Sequence, residues 1–488
     1  MSARHEFTIE LIGDPTRAVY LDLAESIIRE IERGRLKPGQ ILPGTRALSR
    51  TLGVHRNTVD AAYHELTMQG WLIARSSQGT FVADDLPVAD AIPAQKQTPV
   101  KKNIPSRTMK TQVLRVSDGT PDPRIMPRNE LARAFRSVLT SSLFLSSDDY
   151  ADPRGSSELR AALANEFLNA RGLSVSADDL LITHGSQMAL FLAASVVLRT
   201  GDSIAVENPG YPFAWACFRA AGARTVGIPV DEDGIDVDYL ERLIKRDGSI
   251  KAVYVTPHHQ YPTTVTLGAG RRLKLLEIAR RHDLVIIEDD YDHEYRFDSH
   301  PVLPLAARAR PDQRLIHIGS LSKLTAPALR LGYVIAAPDI LNRMVHLREI
   351  VDRQGDVPLE QALAHMITSG LLARHARKAR RIYATRRDFF IDEVRKYFGN
   401  LIEFTVPAGG LAVWLRVDNR IDVRVWAKAA EGEGLRIASG ERFSLDGKLE
   451  LNCLRFGYAH LNEDEIHKTL TILRSSLSSS DCAELQIT

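Results

Sequence analysis

The chain has 488 residues, of which 44% are apolar and 25% charged, and its formal net charge is +2. That length exceeds what one hydrophobic core supports, so two or three domains of an ordinary soluble globular protein are expected. Cys217, Cys453 and Cys482 lack C-x-x-C or metal-ligand spacing, Met1 to Glu6 holds no apolar signal core, and Leu190 to Leu198 is too short to span a bilayer; the expectation is a reducing cytoplasm with no disulfide framework, zinc site or membrane role.

A net charge near zero conceals local patches. Arg33, Arg35, Lys37, Arg46, Arg50 and Arg56 lie in a stretch from Arg33 to Val59 that contains no acid. Tyr20 to Ile31 carries a helical stripe at Leu23, Ile27, Ile28 and Ile31, ended by Gly34 and Pro38-Gly39. Two short helices follow, marked by Leu48 and Leu52 and by Val59, Ala62, Tyr63 and Leu66, with Gly53 at the turn between them. Trp71 to Ala74 and Thr80 to Val82 read as two strands with Ser76-Ser77-Gln78-Gly79 at the hairpin tip. Helix, helix-turn-helix and wing is a DNA-reading order. The second short helix enters the major groove by its N-terminal residues, which makes Arg56, Asn57 and Thr58 candidate readers. Arg46 is placed to reach the backbone or a guanine, and Gly79 lets the wing tip approach the minor groove.

The strings Leu42-Pro43-Gly44-Thr45-Arg46-Ala47-Leu48, Arg56-Asn57-Thr58-Val59 and Gly79-Thr80-Phe81-Val82 resemble the GntR winged-helix family. Gly44 and His55 stand where that family often has serine, which bears on helix capping and one phosphate contact. From Asp84 to about Val113 the prolines at 87, 93, 99 and 105 with Lys, Gln and Thr between them read as a basic, extended linker.

Beyond Asp118-Gly119-Thr120-Pro121-Asp122, apolar strands and helical stretches alternate, the pattern of an α/β domain with a mainly parallel sheet. Strands are expected at Leu180 to Thr183, Ser203 to Val206, Ala252 to Thr256, Leu284 to Glu288 and Leu315 to Gly319. Chemistry clusters where those strands end. Gly185-Ser186-Gln187 opens a helix, where free N–H groups and a hydroxyl suit a phosphate. Tyr211 lies in Asn208-Pro209-Gly210-Tyr211-Pro212. Glu288-Asp289-Asp290-Tyr291 places carboxylates where burial demands a cationic partner; a protonated pyridine is one, and a metal or solvated turn acids are the others. Lys323, in Gly319-Ser320-Leu321-Ser322-Lys323, is the residue type that forms an imine with an aldehyde cofactor. In this order they match the needs of pyridoxal phosphate: an imine partner, a ring stacker, a pyridinium counterion and phosphate donors. No metal ligand set is assigned.

Residues 115 to 475 look like a fold-type I aminotransferase, and their fusion to a winged helix looks like the MocR subfamily of transcriptional regulators. Asp152-Pro153-Arg154-Gly155 and Leu329-Arg330-Leu331-Gly332-Tyr333 join the motifs above in carrying that resemblance. It implies that Lys323 holds the internal aldimine, Asp289 pairs with the pyridine nitrogen, Tyr291 bonds the ring oxygen and Tyr211 stacks. It further implies that Gly185, Ser186, Gln187, Ser320, Ser322 and Arg330 share the phosphate, that His259 touches the ring, and that Arg455 grips an effector carboxylate, or alternatively forms a structural salt bridge. Thr264 stands where the family commonly has glycine. The implied organisation is a winged helix-turn-helix at 1–83, a linker at 84–113, an aminotransferase-like domain at 114–476 with a smaller C-terminal α/β subdomain, and a disordered tail at 477–488. The implied function is a homodimeric, pyridoxal-phosphate-dependent regulator that binds promoter or operator DNA and senses an amino acid, an amine or the cofactor through an aldimine at Lys323. The alternative is a working aminotransferase with an accessory winged helix.

Overall fold

A computed structural model of the protein describes residues 18–86, 114–145, 149–298, 302–310 and 313–479. The chain divides into two compact units, residues 1–108 and 109–488. The expected linker falls outside the described residues from 87 to 113, as does the expected tail from 480 onward.

In the first unit, helices α1 (Val19–Glu32), α2 (Thr45–Leu52) and α3 (Arg56–Met68) precede strands β1 (Leu72–Arg75) and β2 (Gly79–Val82). Leu23 and Ile27 of α1 pack with Leu48 of α2 and with Val59, Ala62 and Leu66 of α3, all at most 1% exposed. Burial of side chains this size stabilises by about 1.5–3 kcal/mol each, enough to hold so small a core. Gly53 closes α2 at φ +67°, a left-handed conformation that costs glycine nothing and turns the chain into α3. The two departures from the winged-helix pattern resolve differently. Gly44 leaves α2 with no side-chain cap, whereas the Nδ1 of His55 accepts from the N–H of Asn57 at 3.2 Å and caps α3. The wing is an antiparallel hairpin in which Leu72 faces Val82 and Arg75 faces Gly79.

The second unit opens with β3 (Leu114–Arg115) and is built on an eight-stranded sheet. Its strands are β4 (Leu180–Thr183), β5 (Ser203–Asn208), β6 (Arg224–Asp231), β7 (Gly234–Ile235), β8 (Ile250–Val255), β9 (Val285–Asp290), β10 (Leu315–Ser320) and β11 (Gly332–Ala336). The order is β4-β11-β10-β9-β8-β5-β6-β7. The pairs from β10 through β9, β8 and β5 to β6 are parallel, while β11 runs antiparallel to both β10 and β4. Helices Gly185–Val197, Pro212–Ala220 and Pro338–Asp352 cover one face, and Val237–Arg246 and Ala269–Arg281 the other. Covered on both sides, the central strands read as unbroken apolar runs, which is why the sequence shows them. Strands β6 and β11 escaped that reading. Arg224, Pro229 and Asp231 break the apolar pattern of β6, which lies near the sheet edge with only Ile228 fully buried.

The smaller subdomain is a three-stranded antiparallel sheet of β12 (Ile402–Glu403), β13 (Val413–Val417) and β15 (Cys453–Phe456); β14 (Leu435–Arg436) instead pairs in parallel with β3. Helix Glu463–Ser479 packs here, its Leu473 carbonyl accepting from the indole N–H of Trp426 at 2.9 Å. That helix overruns the expected boundary at 476, so residues 477–479 are helical and not tail. Leu470, Leu473 and Leu477 continue the buried stripe to that end.

Candidate functional site

The carboxyl ends of β4, β5, β8, β9 and β10 converge on a cavity of about 720 Å³. Parallel strands bring these ends to one edge of the sheet, where outgoing loops splay apart and leave a crevice. Lys323, Asp289, Tyr291, Tyr211, Ser186, Ser320, Ser322 and Arg330 all line it.

Lys323 leaves β10 and turns inward, its Nζ donating to the Gly119 carbonyl at 2.6 Å. Burial lowers its ammonium pKa from 10.5 to about 8, because a charge with little water around it is disfavoured. The last turn of β9 aims Asp289 into the same space. Its Oδ2 accepts from the Tyr254 hydroxyl at 2.9 Å, while Oδ1 is buried without a partner. Burial raises this carboxyl to about 7, against the Tyr254 hydrogen bond. An acid held so, with one oxygen facing a cavity, lacks a donor that a protonated ring nitrogen supplies.

On the opposite wall, Tyr211 packs edge-on against Tyr261, with centroids 4.9 Å apart. The Tyr291 hydroxyl donates to the His259 carbonyl at 2.9 Å. The helix Gly185–Val197 begins at His184 with no side-chain cap, so its first N–H groups stay available beside Ser186. Arg330, in a left-handed conformation at φ +49°, lays its guanidinium over that end, with Nη2 3.2 Å from the His184 carbonyl. A Cβ on Gly185 would come within 2.9 Å of Arg330 Nη2, and one on Gly332 within 3.0 Å of the Ser186 nitrogen. Only glycines permit this close assembly of helix end, arginine and strand, a cradle sized for a phosphate.

Four of the expected residues do not line the cavity. Gln187 spends its amide on the Phe213 carbonyl and Cys217 Sγ, each at 2.9 Å, and so props the Tyr211 segment from behind. Gly185 has no side chain to offer and packs on Arg330. His259 is 1% exposed and points the other way, its Nδ1 2.8 Å from Asp292 Oδ1. The register slips by two residues: Tyr261, not His259, reaches the cavity from this loop. Arg455, 3% exposed, lies under the Tyr261 ring at 4.3 Å and donates to the Asp118 carbonyl at 2.9 Å and to that of Pro262. No carboxylate salt bridge accompanies it among the described residues, and the cationic wall residues besides Lys323 and Arg330 are Arg115, Arg436 and Arg442. Thr264 does take the glycine-like conformation, at φ +66°.

Sequence reasoning missed Tyr254, Thr256, Tyr261 and Asp118. Tyr254 carried a usable signal, a hydroxyl in the otherwise apolar run Ala252 to Val255 of a central strand.

In the first unit, Arg46, Arg56 and Asn57 are exposed on α2 and the start of α3, Thr58 is half-buried, and Gly79 is exposed on the wing at φ +118°. Arg56 Nε reaches Thr45 Oγ1 at 3.5 Å, which ties the two helices at the turn.

Residues 124–473 match the family model of class I and II aminotransferases, and residues 19–82 match that of the bacterial regulatory proteins of the gntR family. The pyridoxine biosynthesis transcriptional regulator PdxR of Corynebacterium glutamicum is 31% identical over 470 residues, spanning 95% of this chain and 97% of its own. The "Probable rhizopine catabolism regulatory protein MocR" of Rhizobium meliloti is 30% identical, over 94% of this chain and 93% of its own. The chain belongs to the MocR-type regulators of the GntR family. Among solved structures, an archaeal alanine:glyoxylate aminotransferase superposes with a TM-score of 0.71 at 29% identity, over 76% of this chain and 91% of that one. The kynurenine aminotransferase of Pyrococcus horikoshii gives 0.70 at 27%, over 76% and 92%. This MocR-type chain is thus a pyridoxal-phosphate-dependent transcriptional regulator with a DNA-binding unit. Lys323, the unpartnered Oδ1 of Asp289 and the glycine-walled cradle fit that cofactor. Among the described residues no helix is long and apolar enough to cross a membrane.

Proposed function

We propose that this regulator reads a small amine, an amino acid or pyridoxal phosphate itself in the cavity, and passes the result to the winged helix. When bound, the cofactor supplies an electrophilic carbon conjugated to a ring that absorbs visible light. The chain's own residues do the rest. Lys323, with its pKa lowered to about 8, offers a far larger neutral fraction near neutral pH than an ordinary lysine, and Asp289 offers an oxygen to hold a ring proton. Ser186, Ser320, Ser322 and Arg330 take the phosphate, and Tyr211 and Tyr291 fix the ring's plane and oxygen. The observation that carries this reading is the pairing, in one chain, of a buried Lys323–Asp289 cavity with an exposed Arg46, Arg56 and Asn57 surface. An effector shifts DNA occupancy only if it binds two arrangements differently, and an amine that took the place of Lys323 on the cofactor's carbon, freeing the Lys323 amine, would supply such a difference.

Arg455 remains our choice for an effector carboxylate, reached through the Tyr261 layer; to do so it must exchange the Asp118 and Pro262 carbonyls for the ligand. Phe213, on the cavity wall yet 65% exposed, supports a homodimer in which a second copy covers it. Two winged helices then address paired half-sites in operator DNA, and a DNA partner supports a cytoplasmic location.

Titration of the cofactor-loaded chain with amines and amino acids, followed by visible absorption and by DNA binding, tests the reading. A stable spectral change with one compound, accompanied by altered DNA affinity, is the expected result. The second reading, a working aminotransferase, draws on the same lowered Lys323 pKa, since an amine near pH 8 also serves as a proton carrier. Steady release of a keto acid without any change in DNA affinity would replace the first reading with the second.

A further inference from the structure

Behind the cofactor cavity lies a second cluster of chemistry-bearing side chains. Strands β8 and β9 are parallel neighbours, with Val255 beside Glu288. The loop that follows β8 therefore runs next to the end of β9. His258 comes from that loop, Asp290 from the last position of β9, and His293 from the single turn His293–Tyr295 that folds back over it. Successive strand residues point to opposite faces, so while Asp289 lines the cavity, Asp290 turns away from it.

We propose that His258, Asp290 and His293 form a site for a divalent transition-metal ion of the imidazole-binding class, such as zinc. Their ligand atoms lie within 4.8 Å of one another. His258 and Asp290 are each 3% exposed. Neither nitrogen of His258 and neither oxygen of Asp290 has a hydrogen-bond partner among the described residues. Asp290 Oδ2 stands 3.0 Å from His293 Nδ1, an ion-pair contact without hydrogen-bond alignment. Buried polar atoms without partners are costly, and three such groups close together share one remedy, a common cation.

Two imidazoles and one carboxylate, with a further position open, are the donor set of zinc and its transition-metal neighbours; magnesium and calcium prefer oxygen alone. Of the nearby arginines, Arg272 donates to the Pro257 and Leu303 carbonyls, while Arg296 pairs with Asp298 through Nε and Nη2 and keeps a buried Nη1 without a partner. His293, with a side chain 15% exposed, is the entry side. Ligand atoms of one tetrahedral ion sit about 3.4 Å apart, and those of His258, Asp290 and His293, now within 4.8 Å of one another, close that difference on binding. The cysteine spacing gave no hint of this, because two loops and a strand end assemble the site. Glu288-Asp289-Asp290 held the only sequence trace of it, as one of the open readings of that acidic strand end.

The test uses the full chain without a histidine tag, stripped with a chelator and titrated with cobalt(II), whose ligand-field bands report coordination, and then with zinc as competitor. One cobalt per chain, displaced by zinc, is expected, with affinity reduced at least about tenfold in His258→Ala and in His293→Ala, since even changes around metal ligands cost that much. His293→Ala decides by itself if the buried His258 variant fails to fold, as judged by circular dichroism and by retention of the cofactor band. Absence of stoichiometric uptake by the folded wild-type chain, or uptake unchanged in His293→Ala, would overturn the site and leave Asp290–His293 a structural ion pair.

Discussion

The two units hold their working residues in opposite ways. In the winged helix, Arg46, Arg56 and Asn57 stand in solvent on a small core of Leu23, Ile27, Val59 and Leu66. In the larger unit, Asp289 is 3% exposed, and burial lowers the Lys323 ammonium pKa to about 8. The difference follows from the partner. A polyanion supplies its own field and needs only accessible cations, whereas covalent chemistry at an amine needs a place where water does not compete.

Breaking the buried half gives the largest effect. Lys323→Ala should abolish the visible band of the lysine-bound cofactor while leaving the intrinsic binding of the winged helix to duplex DNA. An unchanged band in the variant would mean that another amine carries the cofactor. Breaking the exposed half should do the reverse. Arg56→Ala is expected to weaken binding to a selected operator by about 1–3 kcal/mol if it contacts a base, or to lower the salt slope by about one if it contacts a phosphate. Cofactor content should stay at the wild-type level, and full DNA affinity with an unchanged slope would remove Arg56 from the interface.

The contrast sharpens with pH. Because burial lowers the Lys323 pKa to about 8, the reactive neutral amine is lost as pH falls below that value and complete above it. At pH 7 roughly a tenth of Lys323 is neutral, against less than about a thousandth of an ordinary lysine. Cofactor uptake by the stripped chain should therefore rise about tenfold per pH unit and level off just above pH 8. A rate still climbing at pH 9.5 would show a solvated lysine. The smallest effect concerns the backbone. Thr264→Gly relieves a β-branched residue at φ +66° and should stabilise the larger unit by about 1 kcal/mol, read as a raised Tm.

Much of this was legible in sequence where a local rule was enough. Buried parallel strands are continuous apolar runs, so β4, β5, β8, β9 and β10 stood out, and the residues at their ends mark the cavity. The α2–α3 turn was equally visible, since Gly53 and the stripe Val59, Ala62 and Leu66 are short-range signals. Legibility failed where a loop's register decided the contact. His258, His259, Gln260 and Tyr261 are four polar residues in succession, and only the fold shows that Tyr261 enters the cavity while His259 turns to Asp292. Gln187 is a related case: its helix position suits a phosphate, but Phe213 and Cys217 from another segment claim its side-chain amide, which no short-range pattern shows.

By itself, then, the sequence determined the two-part plan and the central strands, because each depends on residue type and short-range periodicity, and it singled out Lys323 and Asp289 as the candidate lysine and acid. Tertiary structure alone decided which neighbours share a wall. It set the partners of Asp289 and Arg455 and brought His258 to Asp290 and His293, because those contacts join segments that only the packing of the sheet brings within a few ångströms.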